Sequence, residues 1–148
     1  MIDTEGPVEV MRLARLVCRR FDLQRVARKR SADVIALVDQ EQLDETEFGT
    51  FAWPTNRVRA FEDDFRVPGE DDEARVLPEV SPQELVGAMR FLARTGGGIE
   101  RDELVRETAL IFGTRRLTAK PKAHLAVVGH AVKRGELVCD GDLVVCRA

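Results

Sequence analysis

Cationic side chains form the groupings in this sequence that carry chemical meaning. Residues 9–31 hold eight basic residues against two acids, a net +6, and residues 114–134 hold six against none, again +6. Between them, residues 41–79 hold twelve acids and four arginines, a net −8. The overall charge of −3 therefore conceals two basic blocks and an acidic one. Within the basic blocks Arg25, Arg28, Lys29 and Arg30 recur as Arg115, Arg116, Lys120 and Lys122, each set near the start of an expected helix. Exposed cations there oppose the helix dipole at about 0.3–1 kcal/mol each. A sequence that places them so twice points to a polyanion as the compensating partner, with phosphate the natural candidate. The competing reading is a solvated face, paired with the acids at 62–64 or 71–73. Arg25 and Arg116 have a further alternative, bonding the carbonyls of the turn that follows the preceding helix.

Other chemistries have thinner support. His124 and His130 stand six apart on an expected helix and face different sides. Cys139 and Cys146 fall on opposite strands out of register, and no Cys-x-x-Cys occurs, so no zinc site is expected. The expectation is buried thiols and a partly exposed histidine. Asp140-Gly141-Asp142 reads as a turn, because the later ligands of a calcium loop are missing. Glu62-Asp63-Asp64 reads as solvated linker rather than a divalent-ion site. Ser31 and Ser81 are the only serines, both explained by helix positions, and tyrosine is absent. Neither a Gly-x-x-x-x-Gly-Lys-Ser/Thr stretch nor an acid-acid-lysine nuclease cluster is present, so neither catalysis nor a cofactor is expected. Trp53 is expected to anchor a strand end rather than stack on a base.

Bulk properties agree with a non-membrane, cytoplasmic protein. Apolar residues make up 44% and charged residues 33%, and no apolar run approaches the roughly 18 residues of a membrane span. Residues 1–10 lack the apolar stretch of a secretory signal. Three scattered cysteines, Cys18 included, are too few for a disulfide framework.

The elements that must position the cations come in two copies. A shift of 91 places Gly6 on Gly97, Glu9 on Glu100, Leu13 on Leu104, Arg15 on Arg106, Phe21 on Phe112, Arg25 on Arg116, Lys29 on Lys120 and Ala32 on Ala123. These are eight identities over residues 6–38, where ordinary composition would give about two. Val34/Leu125 and Leu37/Val128 keep apolar character.

In the second copy Ser81-Pro82-Gln83-Glu84 marks a helix start, with Ser as cap and Pro at the first helical position. That helix should run to about 94, followed by a very short strand at Ile99. Further helices are expected at 101–112 and 118–134, then a hairpin through 136–146. Helix, strand, helix, turn, helix, hairpin is the winged helix-turn-helix order. The first copy repeats it with helices at 10–21 and 26–40 and a hairpin at 43–53, but lacks the first helix. Leu13, Leu16, Val17 and Phe21 would then show an apolar face to water. Either residues 57–65 fold back over it, or the chain belongs to a longer protein.

The Glu5-Gly6-Pro7-Val8 start, the Phe21…Arg25 step, Phe51-Ala52-Trp53-Pro54, Phe65-Arg66-Val67-Pro68, the 79–85 segment and the 134–138 segment cover nearly the whole chain. In order and spacing they resemble an uncharacterised bacterial domain family. That family sits at the C-terminus of very large superfamily-1-helicase-like proteins that also carry a restriction-endonuclease-like domain. The sequence departs from the pattern at Thr114 and Lys120-Pro121, where a glycine-containing turn is expected. The resemblance implies association with DNA or RNA unwinding or cleavage and a helicase-like or nuclease-like partner, and it carries over no catalytic residue.

The expected fold is mainly α with small β-hairpins: tandem winged helix-turn-helix repeats at 1–54 and 79–148, joined by an acidic linker at 55–78. The expected function is non-catalytic binding of DNA or RNA through Arg25, Arg28, Lys29, Arg30, Arg115, Arg116, Lys120 and Lys122. The alternative is a protein-docking module, with a homodimer through the apolar face of repeat 1 as one form.

Overall fold

The computed structural model describes residues 1–23, 27–55, 64–67 and 75–146. It is a mixed α/β protein, helix-rich with two small antiparallel sheets, and it divides into two compact units, Met1–Arg59 and Ala60–Ala148. Among the described residues no helix is long and apolar enough to cross a membrane.

The first unit contains α1 (Ile2–Glu5), β1 (Val8–Glu9), α2 (Val10–Arg20), α3 (Arg28–Ala36), β2 (Leu43–Thr46) and β3 (Gly49–Ala52). No helix was expected before β1, yet a single turn forms there. Its end is held by the Met1 carbonyl, which accepts from the N–H groups of Thr4 and Glu5, and Ile2 packs on the core. Glu9 caps α2, its carboxylate accepting from the N–H groups of Met11 (3.0 Å) and Arg12 (2.8 Å). Central strand β3 pairs with β1 (Val8 opposite Ala52) and with β2 (Leu43 opposite Ala52). The core gathers Val8, Leu13, Val38 and Ala52, and Trp53 is buried directly after β3, as an anchoring aromatic should be.

The second unit contains α4 (Pro82–Thr95), β4 (Ile99–Glu100), α5 (Arg101–Ile111), α6 (Ala119–His124), α7 (Val127–Lys133), β5 (Val138–Asp140) and β6 (Leu143–Val145). Ser81 caps α4 by accepting from the Glu84 N–H, with Pro82 at the first helical position. Strand β6 is central, Ile99 facing Val144 on one side and Cys139 facing Val144 on the other. Each sheet therefore has the same order: the short first strand, then the last, then the middle one. Strand β4 and helix α5 span the positions of β1 and α2 shifted by 91, and α6 starts 91 residues after α3.

Three expectations need correction. The helix expected at 118–134 is two helices. Hydrogen bonding tightens to the i→i+3 pattern at Ala126, Val128 and Gly129. Val127, Val128 and Gly129 are weak helix formers, so local preference does not carry one α-helix through the junction. The helix expected at 26–40 covers only Arg28–Ala36 among the described residues, because Leu37 and Val38 close it with i→i+3 bonds. Finally, the expected linker is packed in part: Asp64, Val67 and Val76 are exposed, but their neighbours Phe65 and Leu77 are not. Phe65 sits against Phe91 (5.9 Å between ring centroids) and Phe112 (6.2 Å), and Leu77 is buried. Phe65 thus belongs to the second unit instead of covering the first; residues 57–63 of that expected cover lie outside the described residues.

Candidate nucleic-acid interface

Arg28, Lys29 and Arg30 form the first turn of α3. Ala27, the cap residue, offers no side-chain acceptor, and the turn contains no acid. The free N–H groups, the positive end of the helix dipole and three consecutive cations therefore coincide. Successive residues of a helix are turned by about 100°, so the three side chains fan over one end of α3 rather than forming a row. Ser31 behind them is buried, with its hydroxyl on the Ala27 carbonyl, which holds this turn against the core. Arg25 lies outside the described residues.

In the second unit Arg115 and Arg116 occupy the turn between α5 and α6, and Lys120 and Lys122 lie on α6. Gly113, in the left-handed region at φ +76, ends α5 and begins that turn. All seven described cations are exposed. Among the described residues none of them pairs with a carboxylate, whereas Arg134 at the end of the same basic block is paired with Glu136 at 2.9 Å. Arg12, Arg15 and Arg19 of the first block also have partners. Arg20 and Lys133 of the same blocks are exposed as well, so both basic blocks turn charge to water at more positions than these seven.

The residues weighed for metal binding fall elsewhere. His124 is buried, and its Nε2–H donates to the Val80 carbonyl at 2.8 Å; burial pushes its pKa below the usual histidine value, only partly offset by that bond. His130 is half-buried. Cys18 is buried, but Cys139, on the outer strand β5, is exposed and Cys146, just after the central strand β6, is half-buried, against the expectation of buried thiols. Among the described residues no three His, Cys, Asp or Glu side chains gather as metal ligands would.

One cluster went unread in the sequence. Glu84, fully buried, accepts from Arg66 Nε at 2.9 Å, from Arg75 Nη1 at 3.0 Å on each carboxylate oxygen, and from the Ser81 hydroxyl at 3.2 Å. Burial alone would raise its pKa, but the two guanidinium groups outweigh it and hold the carboxyl below the usual glutamate range. Every carboxylate oxygen is spoken for by a fixed cation, so the cluster is suited to fastening a segment rather than to proton transfer. The sequence signal was available in hindsight: two isolated arginines inside an acidic stretch.

Comparison with known protein families, with curated proteins and with solved structures found no match.

Proposed function

We propose that this chain is a non-catalytic nucleic-acid-binding module built of two winged-helix repeats, the first with a stub in place of its opening helix. It is cytoplasmic and positions DNA or RNA for a helicase-like or nuclease-like protein. The observation that carries the reading is the set of seven exposed cations without carboxylate partners among the described residues: Arg28, Lys29, Arg30, Arg115, Arg116, Lys120 and Lys122. They precede or begin helices that start 91 residues apart, which supports the duplication, as does the shared strand order of the two sheets. In a helix-turn-helix domain the third helix and the turn before it approach the duplex, and phosphate contacts position it without reading sequence.

Lysine and arginine side chains facing water gain little by themselves, whereas each phosphate they neutralise releases condensed counterions. Affinity should therefore depend steeply on salt and little on base sequence. The test is a salt titration of duplex binding by the whole chain, comparing the natural protein with the triple variant Arg28→Glu, Lys29→Glu, Arg30→Glu. Weaker binding of unrelated duplexes alike supports the reading. Unchanged affinity removes these residues from the interface.

A further inference from the structure

The four cations of the second unit ride on a stretch with little anchorage of its own. None of the described residues 113–123 is buried, and Thr118, which caps α6, gives its first turn no side-chain bond. Burial begins only at His124 and Leu125, at the far end of α6. Beyond them the i→i+3 junction separates α6 from α7, so α6 is not a rigid extension of α7. Leu125 packs without directional preference and fixes how deep this end sits. The bond from His124 to the Val80 carbonyl, 2.8 Å long, has a preferred line and fixes how α6 is turned about its axis.

The acceptor of that bond belongs to a closed loop. Arg75 and Ser81 both bond Glu84, one from each end of the 75–81 segment, and Arg66 fastens the same carboxylate. Between them the Leu77–Glu79 segment makes a 3-10 turn, closed by the Val80 N–H on the Leu77 carbonyl at 3.0 Å. Glu79 Oε2 accepts from the Val76 N–H at 3.4 Å. Leu77 and Val80 are buried, and α6 packs on this turn. His124 therefore meets the loop where it is held from both sides.

We infer, resting on the nucleic-acid reading above, that His124 is the positioning residue of the second basic cluster. It passes the hold of the Glu84 loop to Lys120 and Lys122, which precede it on α6. An apolar side chain at this place would supply packing but no direction, and would take a donor away from a buried carbonyl. Lysines on a helix that turns freely meet two phosphates at once only part of the time, so their share of counterion release falls although neither is changed. They also give up more conformational freedom on binding. His124 itself touches no phosphate; it acts through α6.

The experiment is a salt titration of duplex binding by the whole chain and its variants. Lys120→Gln with Lys122→Gln should lower the log–log slope by about 1.8, two contacts at about 0.9 each. His124→Leu and His124→Asn should each lose at least half of that with both lysines in place. His124→Gln should keep the natural slope, because a glutamine amide reaches the place of Nε2 and an asparagine amide only that of Nδ1. Adding His124→Leu to the lysine pair should lower the slope no further, as for groups that act together. Hydrogen exchange on the same samples should show the Lys122 and Leu125 amides, bonded to the Thr118 and Pro121 carbonyls, losing protection while α5 and β6 keep theirs. Should His124→Leu not fold, His124→Asn carries the comparison. A natural slope in these variants overturns the proposal, as does a loss that adds to that of the lysine pair. So does a His124→Gln slope as low as that of His124→Asn, or an equal loss of protection across α5 and β6. A lysine pair without effect overturns the binding role of α6 and the proposal with it. A natural His124→Leu slope beside a lowered lysine slope sinks the role of His124 alone and leaves the nucleic-acid reading standing.

Discussion

Arg75 grips Glu84 through one nitrogen, Nη1 lying 3.0 Å from each carboxylate oxygen, while its other terminal nitrogen donates to the Arg66 carbonyl at 2.5 Å. The same guanidinium lies 5.9 Å from the centroid of the Phe112 ring. One side chain therefore ties the 64–67 segment, the start of α4 and the end of α5 together. Breaking a buried ion pair by removing one partner costs about 3–5 kcal/mol, because the other charge is stranded. Glu84→Gln should cost about that much. Arg75→Met should cost less, since Arg66 still compensates Glu84, and Arg66→Met least, its side chain being 31% exposed. Hydrogen exchange of α4 amides in the three variants checks the order. A larger loss for Arg66→Met than for Glu84→Gln would mean that the carboxylate is not the hub.

Acid should weaken the second unit in two steps. His124 is kept neutral by burial, so its folded-state pKa lies below 6.5. Its contribution is complete above pH 6.5 and is lost as pH falls from there through the depressed value, because the unfolded chain takes the proton first. Glu84, held below 4.5 by its arginines despite burial, contributes fully above pH 4.5 and loses that contribution at lower pH still. Urea midpoints measured between about pH 7 and pH 5 should fall for the natural protein and stay flat for His124→Gln, which keeps an amide donor for the Val80 carbonyl. A His124→Gln profile parallel to the natural one would assign the upper step to another group.

The two basic clusters should add in the salt dependence of duplex binding. For duplex DNA each phosphate contact contributes a slope of about −0.9 in log K against log salt. If all seven described cations engage, the slope is about −6. Glutamine at Arg28, Lys29 and Arg30 should remove about 2.7 of it, and glutamine at Arg115, Arg116, Lys120 and Lys122 about 3.6. Should only one set change the slope, a single unit meets the nucleic acid.

What was legible in the sequence was local. The Ser81-Pro82 helix start and the turn at Gly141, which lies in the left-handed region at φ +61, each depend on a few neighbouring residues, and both stand where expected. The Glu84 cluster was not legible, because Arg66 and Arg75 come from 18 and 9 residues upstream, out of a segment whose acids announce a linker. The split of α6 from α7 was hidden for a related reason. A continuous apolar spacing over 118–134 says which side is buried, but not whether the backbone stays α-helical at a run of weak helix formers. For the candidate interface, residue type and spacing were visible in advance. The separation of Arg28 to Arg30, with no carboxylate partner among the described residues, from Arg134, paired to Glu136, required geometry.

Gly6 and Gly97 align under the same shift but are glycine for different reasons, and substitution should tell them apart. A Cβ on Gly6 would fall 2.5 Å from the Ile2 carbonyl oxygen and 2.6 Å from Pro54 Cδ, so α1 or the chain after β3 would have to move. Gly97 has open space around it but a φ of +66, where an L-residue is strained and Asn is among the better tolerated. Gly6→Ala should cost about 1–3 kcal/mol as overpacking, and Gly6→Asn more. Gly97→Ala should cost about 1–2 kcal/mol, and Gly97→Asn less. Thermal melts of the four variants decide it: alanine is the milder change at position 6 and asparagine at position 97. The same ranking at both sites would remove the distinction between close approach and backbone handedness.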